Sequence, residues 1–301
     1  MDALPQFLFL FLLLFFSYIL FKRIKTIKRN ILLGNKNYKT STKKETRLKN
    51  LLLVAFGQSK MFKKMIPAIL HLMIYTGFII INIEIIEIIL DGVLGTHRIF
   101  NMIGMPFYNV FISIIEFFII LVLISCVIFL LRRNFVNINR LRSSELKGWP
   151  ILDANLILIF EIILMVAILT MNASDLILQD HGKYNLTGNF YFSSILKPLL
   201  INFSTNSLII IERTFWWIHI IGIFLFAVYV TYSKHLHIFL SFPNIYYTSD
   251  NEKGKMSNMD SITNEIKIMM GISTEEVNEP PKRFGAKDVT DLSWKNILEA
   301  Y

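Results

Sequence analysis

The chain has 301 residues and a formal net charge of +9, yet 54% of it is hydrophobic and its mean hydropathy is +0.52. Long uncharged runs recur, of the kind needed to cross a bilayer, and this composition excludes a soluble enzyme. The basic excess is gathered in particular loops and is not a nucleic-acid signal.

Five stretches read as spans: residues 3–21, 65–90, 108–131, 151–172 and 215–239. The fold class is therefore an all-α integral membrane protein, a five-transmembrane-helix bundle over residues 1–243. Residues 244–301 form a short soluble tail. The loop 22–64 holds fourteen Lys and Arg against Glu45 alone, and the loop 132–150 holds five against Glu145. The other loops are poor in base, so the positive-inside rule places the N-terminus outside and the tail in the cytoplasm. The first span has Asp2 before it and its basic residues after it, so it reads as a retained span and not as a cleaved signal. Anionic lipid is a further expected contact of the basic loop.

Taken in order, the first loop contains the apolar run 51–56, closed by Gly57, which reads as a short surface helix. The second span carries His71 about two turns from its cytoplasmic end. It also carries Glu84 and Glu87, followed by Asp91, at spacings of three and four that share one helix face. Intramembrane acids point to function, here proton handling beside a quinone, with the outer interface as the plain alternative. His97 and Arg98 lie in the next loop. Glu116 and Glu161 lie in the third and fourth spans and are expected to hydrogen-bond within the bundle. Cys126, the single cysteine, reads as a small buried apolar residue, and it cannot by itself hold an iron–sulfur cluster. Trp149–Asp153 marks the entry of the fourth span. Residues 195–211 are apolar but broken by Pro198 and by polar residues, and read as a re-entrant or surface helix.

The last span organises the chain. It runs uncharged from Thr214 to Ser233, with His219 near one end and His237 beyond the other. Eighteen residues are five whole turns of one continuous helix, so both imidazoles would share a face roughly 27 Å apart. Neutral imidazole is a good axial ligand for haem iron. His71 and His237, on antiparallel spans, would meet at similar depth and clamp one haem. Histidines that simply sit in the interface are the plain alternative.

In the tail, Met259, Ile262, Ile266 and Met269 fall at helical spacing, residues 275–281 read as a linker, and Trp294, Ile297, Leu298 and Tyr301 form one apolar helical face. A tail too short to build its own core, yet carrying such a face, implies docking against a partner.

At these residues the chain resembles the b-type cytochrome membrane subunit of respiratory nitrate reductase, its gamma subunit, and the membrane subunit of heterodisulfide reductase-type complexes. The resemblance rests on five spans, on His71, and on His219 and His237 followed by an apolar run to Pro243. It implies two haem b groups between spans two and five. His71 and His237 match the pair for the cytoplasmic-side haem, and His219 matches one ligand of the outer haem. The other outer ligand would lie near Ile81, where no histidine stands, and His97 is the weak substitute. The tail segment KRFGAKDVTDLSWKNILEAY resembles the lead-in to the cluster module of bacterial iron–sulfur oxidoreductases, in which a [4Fe–4S] cysteine segment follows. No cysteine follows Cys126 here, so the clusters are expected on a partner chain, a cytoplasmic iron–sulfur subunit docked at residues 259–301, or on a missing continuation.

The expected function is an oxidoreductase subunit of the bacterial cytoplasmic membrane, passing electrons between quinone and that partner. Two alternatives stand beside it: a haem-free anchor for an iron–sulfur oxidoreductase, and a proton-coupled transporter. The absence of internal repeats in the sequence speaks against the transporter.

Overall fold

The structure is a computed structural model that describes residues 4–36, 43–136, 138, 144–249, 260–272 and 286–301. The helices among them are α1 (Leu4–Ile31), α2 (Lys44–Asn50), α3 (Met65–Leu94), α4 (Met105–Asn134), α5 (Trp149–Asp180), α6 (Lys197–Leu200), α7 (Thr205–Val230), α8 (His237–Tyr246), α9 (Asp260–Met269) and α10 (Trp294–Ala300). No strand occurs among the described residues, and α1, α3, α4, α5 and α7 are long and apolar enough to cross a membrane. The linker expected at residues 275–281, and Met259, lie outside the described residues.

The chain divides into two compact units. The first holds residues up to Ile24 and Gln58–Leu236. Here the four helices α3, α4, α5 and α7 pack side by side around Ile81, Ile115, Ile119, Leu164 and Ile168. Cys126 is fully buried in this core, as expected of a small apolar residue. The beginning of α1 lies against α3 and α7, with Phe9 buried among Ile88, Ile220 and Phe224. Its outer face, including Phe7, Phe11 and Leu14, is left for lipid.

Helix ends follow local chemistry. A proline in the first turn starts α4 and α5 with φ already set. The Ser204 hydroxyl accepts the Ser207 N–H at 3.2 Å and caps α7. This corrects the expected surface helix over residues 195–211. A short helical segment ends at Leu200, and Ser207–Ile211 belong to the span itself, because Ser204 starts the helix before them.

A second correction concerns the last span. The helix does not continue to His237. It stops at Val230 and the chain turns through Thr231–Ser233, whose amides bond three residues back. His219 and His237 therefore lie on different helices, and the five-turn argument that placed them on one face fails.

The second unit holds Lys25–Gly57 and His237–Tyr301. After α2 the chain continues helically through Leu51–Phe56 to Gly57, as expected. Phe56 meets Phe242 with ring centroids 5.0 Å apart, and Arg47 lies over Tyr246. The tail is tied to the end of α1: Asn35 donates to the Leu292 carbonyl at 2.8 Å, and Trp294 donates back to Asn35 at 3.1 Å. Gly34 is required at this crossing, since a Cβ there would lie 2.4 Å from the Trp294 nitrogen. Ile297 and Leu298 are buried, and Trp294 packs edge-on against Tyr247. Most of the apolar face expected to await a partner is thus covered by the chain's own residues, with Tyr301 left exposed. By contrast α9 and the turn after it leave Ile266, Met269, Met270 and Ile272 exposed.

Candidate functional site

His219 sits in the middle of α7, 1% exposed. Its Nδ1 lies 3.0 Å from the backbone carbonyl of Leu164 on α5. A carbonyl only accepts, so Nδ1 carries the proton and Nε2 keeps its lone pair. Among the described residues nothing bonds to Nε2, although it is buried. Leaving such an acceptor unsatisfied costs about 1–3 kcal/mol. A metal-ligating histidine has this arrangement, with one ring nitrogen donating to a carbonyl and the other aimed at the metal. The residue thus fits one axial ligand of a haem iron.

The other histidines have different surroundings. His71 is half-buried in the second turn of α3, within the first unit, whereas His237 opens α8 in the second unit. Ile81 is packed in the bundle core. His97 lies in the loop after α3, with Nε2 3.5 Å from the Asp175 carboxylate and its ring 4.6 Å from that of Tyr184. Burial pushes its pKa below the ordinary histidine value, and Asp175 partly offsets this. His235 packs against Phe226.

At the end of the bundle formed by the residue 91–105 connection lies a buried polar network. Arg98, 6% exposed, is its centre. Its Nη1 donates to Glu84 at 3.1 Å, Nε to Asp175 at 3.2 Å, and Nη2 to the Asn172 side-chain oxygen. The guanidinium lies over the Phe190 ring at 5.0 Å. Arg98 has φ 56°, a left-handed conformation unusual for a side-chain-bearing residue. Asp91 holds it there by accepting the Arg98 and Ile99 amides at 2.8 and 3.1 Å. Glu87 accepts the Phe100 amide and the Tyr108 hydroxyl, each at 2.9 Å. Asn172 reaches Glu116, which also accepts the Phe192 amide and the Ser193 hydroxyl. Both intramembrane acids of α3 are fully buried, and the second oxygen of Glu84 has no partner among the described residues.

Sequence reasoning placed Glu84, Glu87 and Asp91 on one face but missed what they surround. The signal was available: Asn172, Asp175 and Gln179 recur at helical spacing at the end of α5, and Arg98 is the lone cation of its loop. A buried arginine facing several acids makes a site that can hold and exchange protons. Beside it, Arg213 pairs with Glu212 at 2.7 Å, and the Tyr184 hydroxyl donates to the same carboxylate oxygen at 3.2 Å. A cavity of about 10 Å³ lies between the two clusters, lined by Glu87, Asp91, His97, Arg98, Glu212 and Trp216, among others. That is about the size of one water.

Comparison with known proteins gives a consistent direction. The chain is similar to the probable iron-sulfur-binding oxidoreductase FadF of Bacillus subtilis (strain 168), 28% identical over 294 residues, which are 98% of this chain and 38% of the relative. It is also similar to the EtfAB:quinone oxidoreductase of Syntrophomonas wolfei subsp. wolfei, 23% identical over 267 residues, 84% of this chain and 32% of the relative. The chain thus spans about a third of the length of these relatives. No family model and no solved structure matches it.

Proposed function

We propose that the chain is the membrane electron-transfer portion of an iron–sulfur oxidoreductase, relaying electrons between the quinone pool and a cytoplasmic iron–sulfur module. The observation that carries this reading is His219, with Nδ1 held by Leu164 and a buried Nε2 lone pair. The names of the two similar proteins support it. In this reading, which the basic loops support, the Arg98 end faces outside and α2, α8 and the tail lie in the cytoplasm of a bacterium. On the same reading His219 would ligate the outer haem b, and His71 and His237 are the further candidate haem ligands that the resemblance offers. A bound haem b supplies one-electron chemistry at a potential set by its ligands and burial. Glu84 and Glu87, around Arg98, handle the protons that accompany quinone turnover. Because Ile297 and Leu298 of α10 are buried, the exposed apolar residues of α9 are the larger part of the tail left for the iron–sulfur partner.

The second reading, a haem-free anchor, is favoured by Ile81 alone, which fills the core where a second outer ligand would stand. The deciding experiment is a reduced-minus-oxidised visible spectrum of the purified protein, with a haem assay, in wild type and in His219→Ala, His71→Ala and His237→Ala. The expected result is a b-type spectrum that each variant diminishes. A folded wild-type preparation without haem would leave the anchor as the better account.

A further inference from the structure

A laterally open groove of about 510 Å³ runs along α5 and α7. Both helices are long and apolar enough to cross a membrane, so the groove opens onto hydrocarbon. The residues of its lining that carry polar groups, Thr214 with its hydroxyl and Trp217 with its indole N–H, stand at one end. From there Ile218, Ile221 and Leu225 continue the wall in hydrocarbon alone. Gly222 lets the Leu164 side chain lie close against α7 at the floor: a Cβ there would come within 2.7 Å of Leu164 Cδ2. Thr214 is also where the uncharged run begins, directly after Glu212 and Arg213. Thr214 to Leu225 is roughly 16 Å of helix, about half the hydrocarbon thickness of a bilayer.

A ligand that matches has a ring accepting hydrogen bonds at the membrane edge and a single long apolar tail. Resting on the electron-transfer reading, we infer that the groove binds a prenylated quinone, with its ring at Thr214 and Trp217 and its isoprenoid tail along Ile218, Ile221 and Leu225. A phospholipid matches less well. Arg213, next to Thr214 in the chain, is already paired with Glu212 and offers a phosphate no net positive charge. The groove also adjoins the proposed redox centre. Leu164 lines the groove with its side chain and holds His219 with its carbonyl.

The test is photolabelling of the full chain in nanodiscs with an azidoquinone bearing a short prenyl tail, the labelled residues being mapped by mass spectrometry. Labelling is expected within residues 214–222, to be displaced by unlabelled prenylquinone, and to resist excess phosphatidylglycerol. Ile218→Trp, which fills the groove from its exposed side, should cut labelling by about tenfold, the equivalent of roughly two methylene contacts. Thr214→Val, which leaves the packing unchanged, should cut it several-fold and serves if the bulkier variant does not fold. Displacement by phosphatidylglycerol would assign the groove to lipid and overturn the inference. Saturable labelling mapped elsewhere would overturn the groove but leave quinone-linked electron transfer standing. No saturable labelling anywhere would overturn both.

Discussion

The Asp153 carboxylate on α5 accepts the backbone N–H of Lys234 at 3.1 Å, in the turn that follows α7. The same carboxylate accepts the Tyr229 hydroxyl at 2.6 Å. This pair of bonds explains why α7 ends where it does. Once the chain leaves the helix at Thr231, its amides need acceptors, and a buried acid on the neighbouring helix supplies one.

Asp153→Ala should therefore destabilise the first unit. It removes a buried charged acceptor from two donors, and the expected cost is about 2–3 kcal/mol. Asp153→Asn keeps an acceptor oxygen and should cost less. Thermal unfolding in detergent, followed by exposure of Cys126 to a thiol-reactive dye, would measure both. Equal unfolding temperatures for wild type and Asp153→Ala would refute this account of the helix end.

Arg98→Gln should be more damaging. It strips the positive charge from between Glu84 and Asp175 and leaves those carboxylates facing each other in a buried site. Breaking a buried pair in this way costs about 3–5 kcal/mol. Arg98→Lys should rescue little, because three separate partners are met by the planar fork of the guanidinium. Adding Glu84→Gln to Arg98→Gln should recover part of the loss by removing one unpaired charge. An additive double variant would show that the two side chains are not coupled.

The five helices were legible because twenty-residue apolar runs have few other uses, and the boundaries shifted where capping decided them. Ser204 and the Asp153–Lys234 bond lie outside any hydropathy pattern, so the last span was drawn too late at its start and too long at its end. The apolar face of α10 was correctly read, yet what meets it was not: Trp294 packs on Tyr247, and the Asn35 and Gly34 crossing that holds the start of α10 comes from more than 250 positions away, where no local rule reaches. The same holds for the Arg98 network, whose acids come from three helices. Periodicity finds a face, but tertiary pairing decides what it meets.

Stability should also depend on pH through His97. Burial lowers its pKa in the folded protein, against the carboxylates of Asp175 and Asp91 and with Arg98 and Arg213 acting in the same direction as burial. The unfolded chain then binds a proton more readily than the folded one. The stabilising contribution is full above the ordinary histidine value of about 6.5 and is lost as pH falls through the lower folded value. His97→Gln should flatten that part of the stability–pH curve. Unfolding temperatures measured between pH 5 and pH 8 would test it, and an unchanged slope in the variant would remove His97 as the cause.

Gly34→Ala tests whether the tail is held by its crossing with the end of α1. The new methyl group would collide with backbone at Trp294, not with a movable side chain, so the crossing cannot absorb it. The two Asn35 backbone bonds and the Asn35 side-chain bond to the Asp291 carbonyl should then be lost together. Lys295 is 1% exposed, held by Asn244 and Glu299, so trypsin should cut after it slowly in the wild type. Detachment would expose that bond, and cleavage after Lys295 should accelerate by at least an order of magnitude in Gly34→Ala, since it tracks the population of the open form. Cleavage after Arg213, in α7, should stay unchanged, because that helix does not belong to this unit. Equal cleavage at Lys295 in both proteins would show that α10 is held by its own apolar contacts and not by the Gly34 crossing.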